Sequence, residues 1–313
     1  ALDANTTAGN NVAVGYDSLS ANTTGTGNVG LGYATLTGNT TSDNNTALGN
    51  RAMQNNTTGA SNTAVGNYSL FNNTTGTRNV AIGYYALKSM TTSNSNTAVG
   101  YNALQANTGH ENVAVGREAM YSNTSGGSTV AVGHQALYAN TSGYNHVAIG
   151  WGALKANTTG VTSIAIGVNA LDACTTGSNN IGIGNSACGT LTTGIDNVGI
   201  GVNVLAAIST ASSNTAVGRR ALDSSTASNN TAIGCDALGA NTTASYNTAV
   251  GKSALAANTT GVENIAVGYH ALKANTTGST NTAIGSNAMW EGVTTGSYNT
   301  MVGGNAGRKM TSG

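Results

Sequence analysis

The sequence predicts an all-β fold, a parallel β-solenoid of about 18 coils with a 17-residue repeat. A glycine in the recurring phrase Asn-x-Ala-Val/Ile-Gly-x-x-Ala-Leu returns every 17 residues, with two intervals of 16 and one of 18. The chain has no proline, so the backbone donors that strand ladders need are intact. The anchor glycines are Gly15, Gly32, Gly49, Gly66, Gly83, Gly100, Gly116, Gly133, Gly150, Gly167, Gly184, Gly201, Gly218, Gly234, Gly251, Gly268, Gly285 and Gly303.

Each repeat offers two short extended segments, such as Asn62 to Val65 and Ser69 to Asn72, closed by the turn Asn73-Thr74-Thr75-Gly76. Val, Ile and Thr favour strands, and Gly76 suits a turn residue with positive φ. One coil cannot fold alone, because burying one Val and one Leu contributes roughly 3–6 kcal/mol. Ordering seventeen residues costs about 1–2 kcal/mol each. Parallel stacking of the coils must therefore supply the difference.

Two apolar columns are predicted to form the core. The residue before the anchor is always Val, Ile or Leu, and the residue four positions after it is usually Leu. Met and Cys replace that Leu in some coils with little change in volume. The second column begins Leu19, Leu36, Met53, Leu70, Leu87 and Leu104, and continues through Met120, Cys188 and Met289.

A column of asparagine stands four residues before the anchor, in fifteen of the coils. Stacked amides can donate to one neighbour and accept from the other, so we predict a hydrogen-bonded Asn ladder at a corner of the coil. The alternative is that Asn merely suits a bend. This corner column begins with Asn11, Asn28, Asn45, Asn62, Asn79, Asn96 and Asn112.

A column of small residues, the alanine column, lies two positions before the anchor, as at Ala13, Gly30 and Ala47. Alternation along the strand points it away from the column before the anchor. If that column is inside, the alanine column faces outwards, and its uniform small size favours close packing against a second copy of the chain. The alternative is that alanine faces the interior opposite Leu in a flat coil.

Charge and hydropathy exclude two classes of partner. The chain has 11 basic and 11 acidic residues, so it has no basic surface for nucleic acid. Its apolar runs are too short for a spanning helix, which predicts no membrane insertion in this segment. We read residues 1–313 as a single continuous repeat array.

The phrases Asn79-Val80-Ala81-Ile82-Gly83 and Asn264-Ile265-Ala266-Val267-Gly268 resemble the head repeats of trimeric autotransporter adhesins. The added Asn-Thr-Thr-Gly turn is more similar to repeats of phage and virus tail-fibre proteins. The resemblance covers the whole chain and implies a left-handed β-roll and a homotrimer. It also implies an extracellular, cell-surface or virion-surface location, with adhesion by surface columns or tip domains.

The sequence indicates no catalytic chemistry. The acidic residues are scattered over different columns, so none forms a fixed pair for general acid/base work. The histidines occupy four different repeat positions and lack zinc-site spacing, so we expect no metal, no cofactor and no enzymatic activity. Arg220 lies one coil from Asp236, which predicts an ion pair. Cys174, Cys188 and Cys235 fall in three columns and should be free thiols.

Aromatic residues often follow the anchor and would be exposed on the surface. Such rings could contact the carbohydrate of a cell-surface receptor. The alternative is that neighbouring aromatic residues only stabilise the strand ladder. The candidate carbohydrate contacts are Tyr16, Tyr33, Tyr84, Tyr101, Trp151 and Tyr269.

Glycosylation sequons recur at the predicted turn, seven residues after the anchor. In a secretory host they would carry a sugar coat, although Asn-Thr-Thr-Gly is also simply a good turn. The candidate N-glycosylation sites of this sequon column are Asn22, Asn39, Asn56, Asn73, Asn123, Asn140, Asn157, Asn241, Asn258 and Asn275.

Together these features predict the shaft of an adhesive or structural fibre that self-associates as a homotrimer or filament. The chain begins in mid-repeat at Ala1-Leu2, so we expect it to be an excerpt of a longer fibre. An alternative is an ice-binding or glycan-coated extracellular filament that uses the stacked Thr and Asn columns. Its sequence basis is the run of Thr pairs from Thr23-Thr24 to Thr276-Thr277.

Overall fold

A computed structural model describes residues 1–291 and 295–309. Within these residues all of the regular structure is β, in strands of three residues separated by turns. The chain divides into two compact units, which we describe separately: Ala1–Thr159 (unit 1) and Gly160–Gly313 (unit 2). Unit 1 holds β1 Val12–Val14, β2 Val29–Leu31, β3 Thr46–Leu48, β4 Thr63–Val65, β5 Val80–Ile82, β6 Thr97–Val99, β7 Val113–Val115, β8 Val130–Val132 and β9 Val147–Ile149. Unit 2 holds β10 Ile164–Ile166, β11 Ile181–Ile183, β12 Val198–Ile200, β13 Thr215–Val217, β14 Thr231–Ile233, β15 Thr248–Val250, β16 Ile265–Val267, β17 Thr282–Ile284 and β18 Thr300–Val302.

Consecutive strands of each unit pair in parallel and in register. In unit 1, Ala64 of β4 lies opposite Ala81 of β5, and in unit 2, Gly182 of β11 lies opposite Gly199 of β12. Equivalent residues of successive repeats are therefore neighbours, which confirms the parallel β-solenoid with a 17-residue repeat. The single array over residues 1–313 stays a prediction.

Stacking continues around the coil beyond the strands. The backbone N–H of Tyr68 donates to Asn50 in the preceding coil at 3.0 Å, and the N–H of Leu70 donates to Ala86 in the next coil at 2.9 Å. The N–H of Thr74 likewise donates to Thr91 at 2.8 Å. Backbone groups in the turns thus find partners in adjacent coils, as buried backbone groups must.

The predicted second extended segment is wrong. Residues 69–72 form a turn, because Leu70 has a φ of 49°. Two further positions in each repeat take the left-handed conformation, and in most coils they hold non-glycine residues, such as Ser61 and Tyr68 with φ of 60° and 57°. Such residues normally cost free energy, and here the bonds to both neighbouring coils hold them in place.

The prediction of positive φ at the turn glycines is also wrong, since Gly59 and Gly76 do not have it. Close approach explains the preference instead, because a Cβ on Gly76 would lie 2.5 Å from Asn73 Oδ1. The anchor glycines are the ones with unusual φ, 131° at Gly66. A Cβ on Gly66 would also lie 2.7 Å from the carbonyl oxygen of Gly83.

The core differs from the prediction in one of its two columns. The leucine column is fully buried, as predicted, from Leu19 through Met289. The column before the anchor was wrongly predicted to be core, because it points outwards and leaves Val14 and Ile82 exposed. The alanine column faces the interior instead, which overturns its proposed contact with a second copy. The coil is too thin for larger residues there, since a Cβ on Gly182 already lies 3.0 Å from Leu171 Cγ.

Candidate functional site

The corner column forms a buried ladder that ties each coil to the next. Asn45 Oδ1 accepts two hydrogen bonds from Asn62, one from the backbone N–H at 3.0 Å and one from the side-chain Nδ2 at 3.2 Å. Asn62 Nδ2 also donates to the carbonyl of Gly76 in the following turn at 2.8 Å. All seven predicted residues lie in this column; Asn11, at the first coil, is half-buried and the other six are buried.

Replacements in the corner column keep its acceptor. Thr129 Oγ1 accepts the backbone N–H of His146 at 3.3 Å, and Ser163 Oγ accepts that of Asn180 at 3.2 Å. A hydroxyl oxygen therefore serves where an amide oxygen usually does. What the column requires is a side-chain acceptor for the next coil.

The sequon column forms a second interior ladder that sequence reasoning missed. Asn56 Nδ2 donates to Asn39 Oδ1 of the preceding coil at 2.9 Å and to Gly59 O of its own turn at 2.9 Å. Asn56 Oδ1 accepts from Asn73 Nδ2 at 2.7 Å. All ten sequon asparagines have fully buried side chains.

This burial argues against glycosylation of the folded coil at these sites. At every site except Asn157, the Nδ2 atom that a glycan would occupy already donates hydrogen bonds inside the coil, as at Asn258, where it donates two. A sugar there would break the ladder and would have to fit within a packed interior. Burial therefore argues against a sugar coat at this column, and glycosylation of these asparagines stays a prediction.

A signal in the sequence could have revealed the second ladder. Apolar residues replace the sequon asparagine at Met90, Cys174, Leu191 and Ile208, and each is buried. A turn exposed to solvent has no reason to accept a run of apolar residues, whereas an interior column does. Recurrence of Asn was thus read as turn chemistry when it reflected burial.

The threonine hydroxyls next to the sequon column are used within the fold. Thr57 Oγ1 donates to the carbonyl of Thr74 in the next coil at 2.9 Å, and Thr259 Oγ1 donates to Thr276 at 2.9 Å. These hydroxyls hold neighbouring turns together. The ice-binding alternative, which relied on them as a surface array, stays a prediction.

The outer face of the strands is uncharged and mostly apolar. Along β1 to β18, the first and third residues of every strand are Val, Ile, Leu or Thr, and none is charged. These side chains are exposed or half-buried, with 39% exposure at Ile149 and 38% at Ile200. We call these two columns the outer face.

The structure groups four of the predicted carbohydrate contacts in unit 1 into two stacked pairs. Tyr16 and Tyr33 lie 5.5 Å apart between ring centroids, and Tyr84 and Tyr101 lie 5.7 Å apart, each pair nearly parallel. All four rings are exposed. Between the two pairs lies Arg51, whose guanidinium carbon is 5.9 Å from the centroid of the Tyr33 ring.

The other two predicted contacts stack on histidine. Trp151 lies 6.5 Å from His134, and Tyr269 of unit 2 lies 3.7 Å from His270. Desolvation lowers the pKa of His270, as does the positive charge of Lys273 and Lys252. The imidazole is therefore held towards its neutral form, which stacks on a ring without desolvating a charge.

The predicted ion pair in unit 2 is confirmed, with Arg220 Nη2 2.7 Å from Asp236 Oδ1. Desolvation raises the pKa of Asp236, but the thiol of Cys235 and the Arg220 guanidinium outweigh it and hold this pKa below its usual value. In unit 1, the amide of Gln135 lowers the pKa of Glu118 by donating to it at 2.9 Å.

The three cysteines are free thiols. Cys188 lies in the leucine column and Cys174 in the sequon column, and desolvation raises their pKa values to about 12 and about 11. Cys174 Sγ lies 3.5 Å from Gly177 O, the carbonyl position that an asparagine amide binds in other coils. Cys235 is only half-buried, beside Arg219.

The described residues contain no group of three or more His, Cys, Asp or Glu side chains placed to hold a metal ion. Nor do they include a helix long and apolar enough to span a bilayer. The sequence matches no protein-family model and no curated protein. The candidate surfaces are therefore the outer face and the aromatic residues beside it.

Proposed function

We propose that this chain is a self-associating structural fibre segment, located outside the cell or on a virion surface, that acts by reach and attachment rather than by catalysis. The observation that carries the proposal is the outer face. Each described strand adds two uncharged, mostly apolar side chains to it. Solvent-facing strands normally carry polar residues on the outside, so an apolar face on every strand favours a partner surface.

A second copy of the chain is the partner that this face fits. The face has no charged residue and repeats the same residue types along each unit. The outer faces of two copies can therefore pack against each other, apolar side chains against apolar side chains. The nine strands of a unit place 18 side chains on this face, two from each strand, close to the roughly 20–30 residues that one partner contributes to a standard interface. The homotrimer implied by the adhesin-like repeats is one assembly of this kind.

The proposed fibre also needs stiffness, and the interior supplies it. Backbone bonds link successive coils, and the corner ladder and, where that column is asparagine, the sequon ladder add side-chain bonds at other points of the circumference. A coil cannot tilt without breaking bonds in all of them. An attachment surface carried on such coils keeps its spacing under load.

Light-scattering mass of the purified chain tests the proposal, with a multiple of the single-chain mass as the expected result. Val132→Lys with Ile149→Lys places charges on the outer face of β8 and β9 and should yield monomers. The matched control, Ser125→Lys with Ser142→Lys, adds the same charges on exposed turn positions and should leave the mass unchanged. A wild-type chain of single-chain mass would contradict the proposal.

A further inference from the structure

A cluster of rings and cations covers one side of unit 1, next to the outer face. Arg51 lies between two rings, with its guanidinium carbon 5.9 Å from the Tyr33 centroid and 5.7 Å from the Tyr68 centroid. Lys88 Nζ lies 3.9 Å from the Tyr85 centroid. We call Tyr33, Arg51, Tyr68, Tyr84, Tyr85 and Lys88 the aromatic–cation patch.

The rings of the patch follow one another from coil to coil. Tyr68 and Tyr85 lie 5.5 Å apart, Tyr85 contacts Tyr84 at 3.9 Å, and Tyr84 continues to Tyr101 in the next coil. Successive coils are about 4.8 Å apart, as hydrogen-bonded strands are. Similar contacts therefore recur along the stacking direction at a spacing close to the length of one sugar unit in an extended chain.

The patch carries an excess of positive charge. Between residues 18 and 109 the chain has the cations Arg51, Arg78 and Lys88 and only one acidic residue, Asp43. Asp43 accepts hydrogen bonds from the backbone and hydroxyl of Thr26, on the turn side of the coil. Arg51 and Lys88 are held by ring faces rather than by carboxylates, so their positive charge is not neutralised.

The chemistry of these groups selects an anionic, ring-bearing polymer. Tyrosine provides a flat apolar face and a hydroxyl that donates and accepts, which suits the mixed CH and OH surface of a sugar. Arg and Lys at the same surface bind carboxylate or sulfate groups, and Arg does so with two parallel N–H donors. We infer that the aromatic–cation patch binds a linear anionic polysaccharide that lies along the stacking direction.

This inference deepens the proposed attachment role, and rests on it, by assigning a ligand class to one surface. It changes the group of carbohydrate contacts predicted from the sequence. Tyr33 and Tyr84 remain, joined by Tyr68 and Tyr85 of a neighbouring column and by the cations Arg51 and Lys88, which the sequence pattern did not single out. Tyr16, Tyr101, Trp151 and Tyr269 lie outside the patch.

The test is calorimetric titration of the full-length chain with three polymers of similar length. Polygalacturonate carries carboxylates, dextran sulfate carries sulfates, and dextran is neutral. Binding to at least one anionic polymer is expected, with about tenfold weaker binding at about 0.5 M salt and none to dextran. The two anionic arms distinguish the carboxylate from the sulfate as the recognised group.

Matched variants tie the binding to the patch. Arg51→Gln with Lys88→Gln keeps every ring and should weaken binding about tenfold or more. Arg219→Gln with Lys252→Gln removes the same charge from exposed positions of unit 2 and should change the affinity by less than about twofold. Far-UV circular dichroism checks that each variant is folded.

Three outcomes would overturn the inference: equal binding of dextran and the anionic polymers, no binding of any polymer, or equal weakening by the patch and control variants. The mass measurement separates this result from the fibre proposal. A monomer that binds an anionic polymer through the patch contradicts self-association only. An oligomer that binds neither anionic polymer contradicts the patch only.

Discussion

The two units use the same interior column in opposite ways. In unit 1 the sequon column is asparagine in every coil except that of Met90, and the side-chain ladder ends at Asn140, because the buried side-chain amide of Asn157 has no hydrogen bond. In unit 2 it begins with the buried run Cys174, Leu191 and Ile208, passes through Ser225, and only then returns to asparagine. The backbone path and the strand register are the same in both units.

This difference shows that either asparagine or an apolar residue can fill the column, provided that the neighbouring coils carry residues of the same kind. Where the chemistry changes abruptly, an atom loses its partner: Asn73 Oδ1, facing the coil of Met90, has no hydrogen bond. In unit 2 the change is gradual, because Ser225 Oγ accepts the Nδ2 of Asn241 at 3.1 Å. A buried amide makes its hydrogen bonds to the coils above and below it. Its contribution to the free energy of unfolding therefore depends on the residues in those coils.

The largest expected effect concerns a feature that both units share. Gly66→Ala in unit 1 and Gly201→Ala in unit 2 each place a Cβ against the backbone of the next coil, at φ of 131° and 143°. We expect each to lower the free energy of unfolding by about 4 kcal/mol or more in urea titrations. Gly152→Ala is the control, because non-glycine residues take positive φ at its position in other coils, and it should cost only about 1–2 kcal/mol. If both alanine variants unfolded at the same urea concentration as the wild-type chain, the close approach of the anchor glycines to the next coil would be contradicted.

Leu191→Asn should have the next largest effect. The new amide would lie between the coils of Cys174 and Ile208, neither of which offers the side-chain amide that completes the ladder elsewhere. Loss of leucine burial and an unpaired amide oxygen should cost about 3 kcal/mol. Leu191→Met conserves volume and should cost less than about 1.5 kcal/mol. Similar urea midpoints for the two variants would mean that the stability of a residue in this column does not depend on the residues in the adjacent coils.

Met90→Asn tests the same rule in the opposite direction. An asparagine there could donate to the unpaired Asn73 Oδ1 and accept from Asn107, restoring the ladder of unit 1. The matched control is Met53→Asn, which places an amide in the apolar leucine column. We expect Met90→Asn to be at least about 2 kcal/mol less destabilising than Met53→Asn in thermal or urea unfolding. Equal losses would contradict the ladder as a source of stability.

The smallest expected effect concerns charges on the surface. The pKa of Asp236 is lowered on folding, so its contribution to stability is present above the ordinary carboxyl pKa and is lost as pH falls through the folded value. Arg220→Gln should raise this pKa in an NMR titration more than Arg219→Gln, since Arg219 lies 4.0 Å away and Arg220 2.7 Å. The change in stability should stay below about 1 kcal/mol, because the pair is partly exposed. An unchanged Asp236 titration in Arg220→Gln would contradict the ion pair.

Much of the fold was predictable because the repeat leaves few alternatives. Strict recurrence of the anchor, the leucine column and the corner asparagines requires equivalent residues to lie above one another. Orientation was harder to predict. A three-residue strand has one inward and two outward side chains, and Val-Ala-Val indicates an inward Val when read by hydrophobicity alone.

The repeat pattern alone was enough to predict the period, the strand before each anchor glycine, the leucine column and the corner column. The folded coil was needed to show that alanine rather than valine faces inwards, that the sequon asparagines are buried, and that Arg51 and Lys88 lie against the tyrosines. The reason is physical: a coil this thin has room only for small side chains opposite leucine, and that limit depends on the distance between walls that residues far apart in the chain build together.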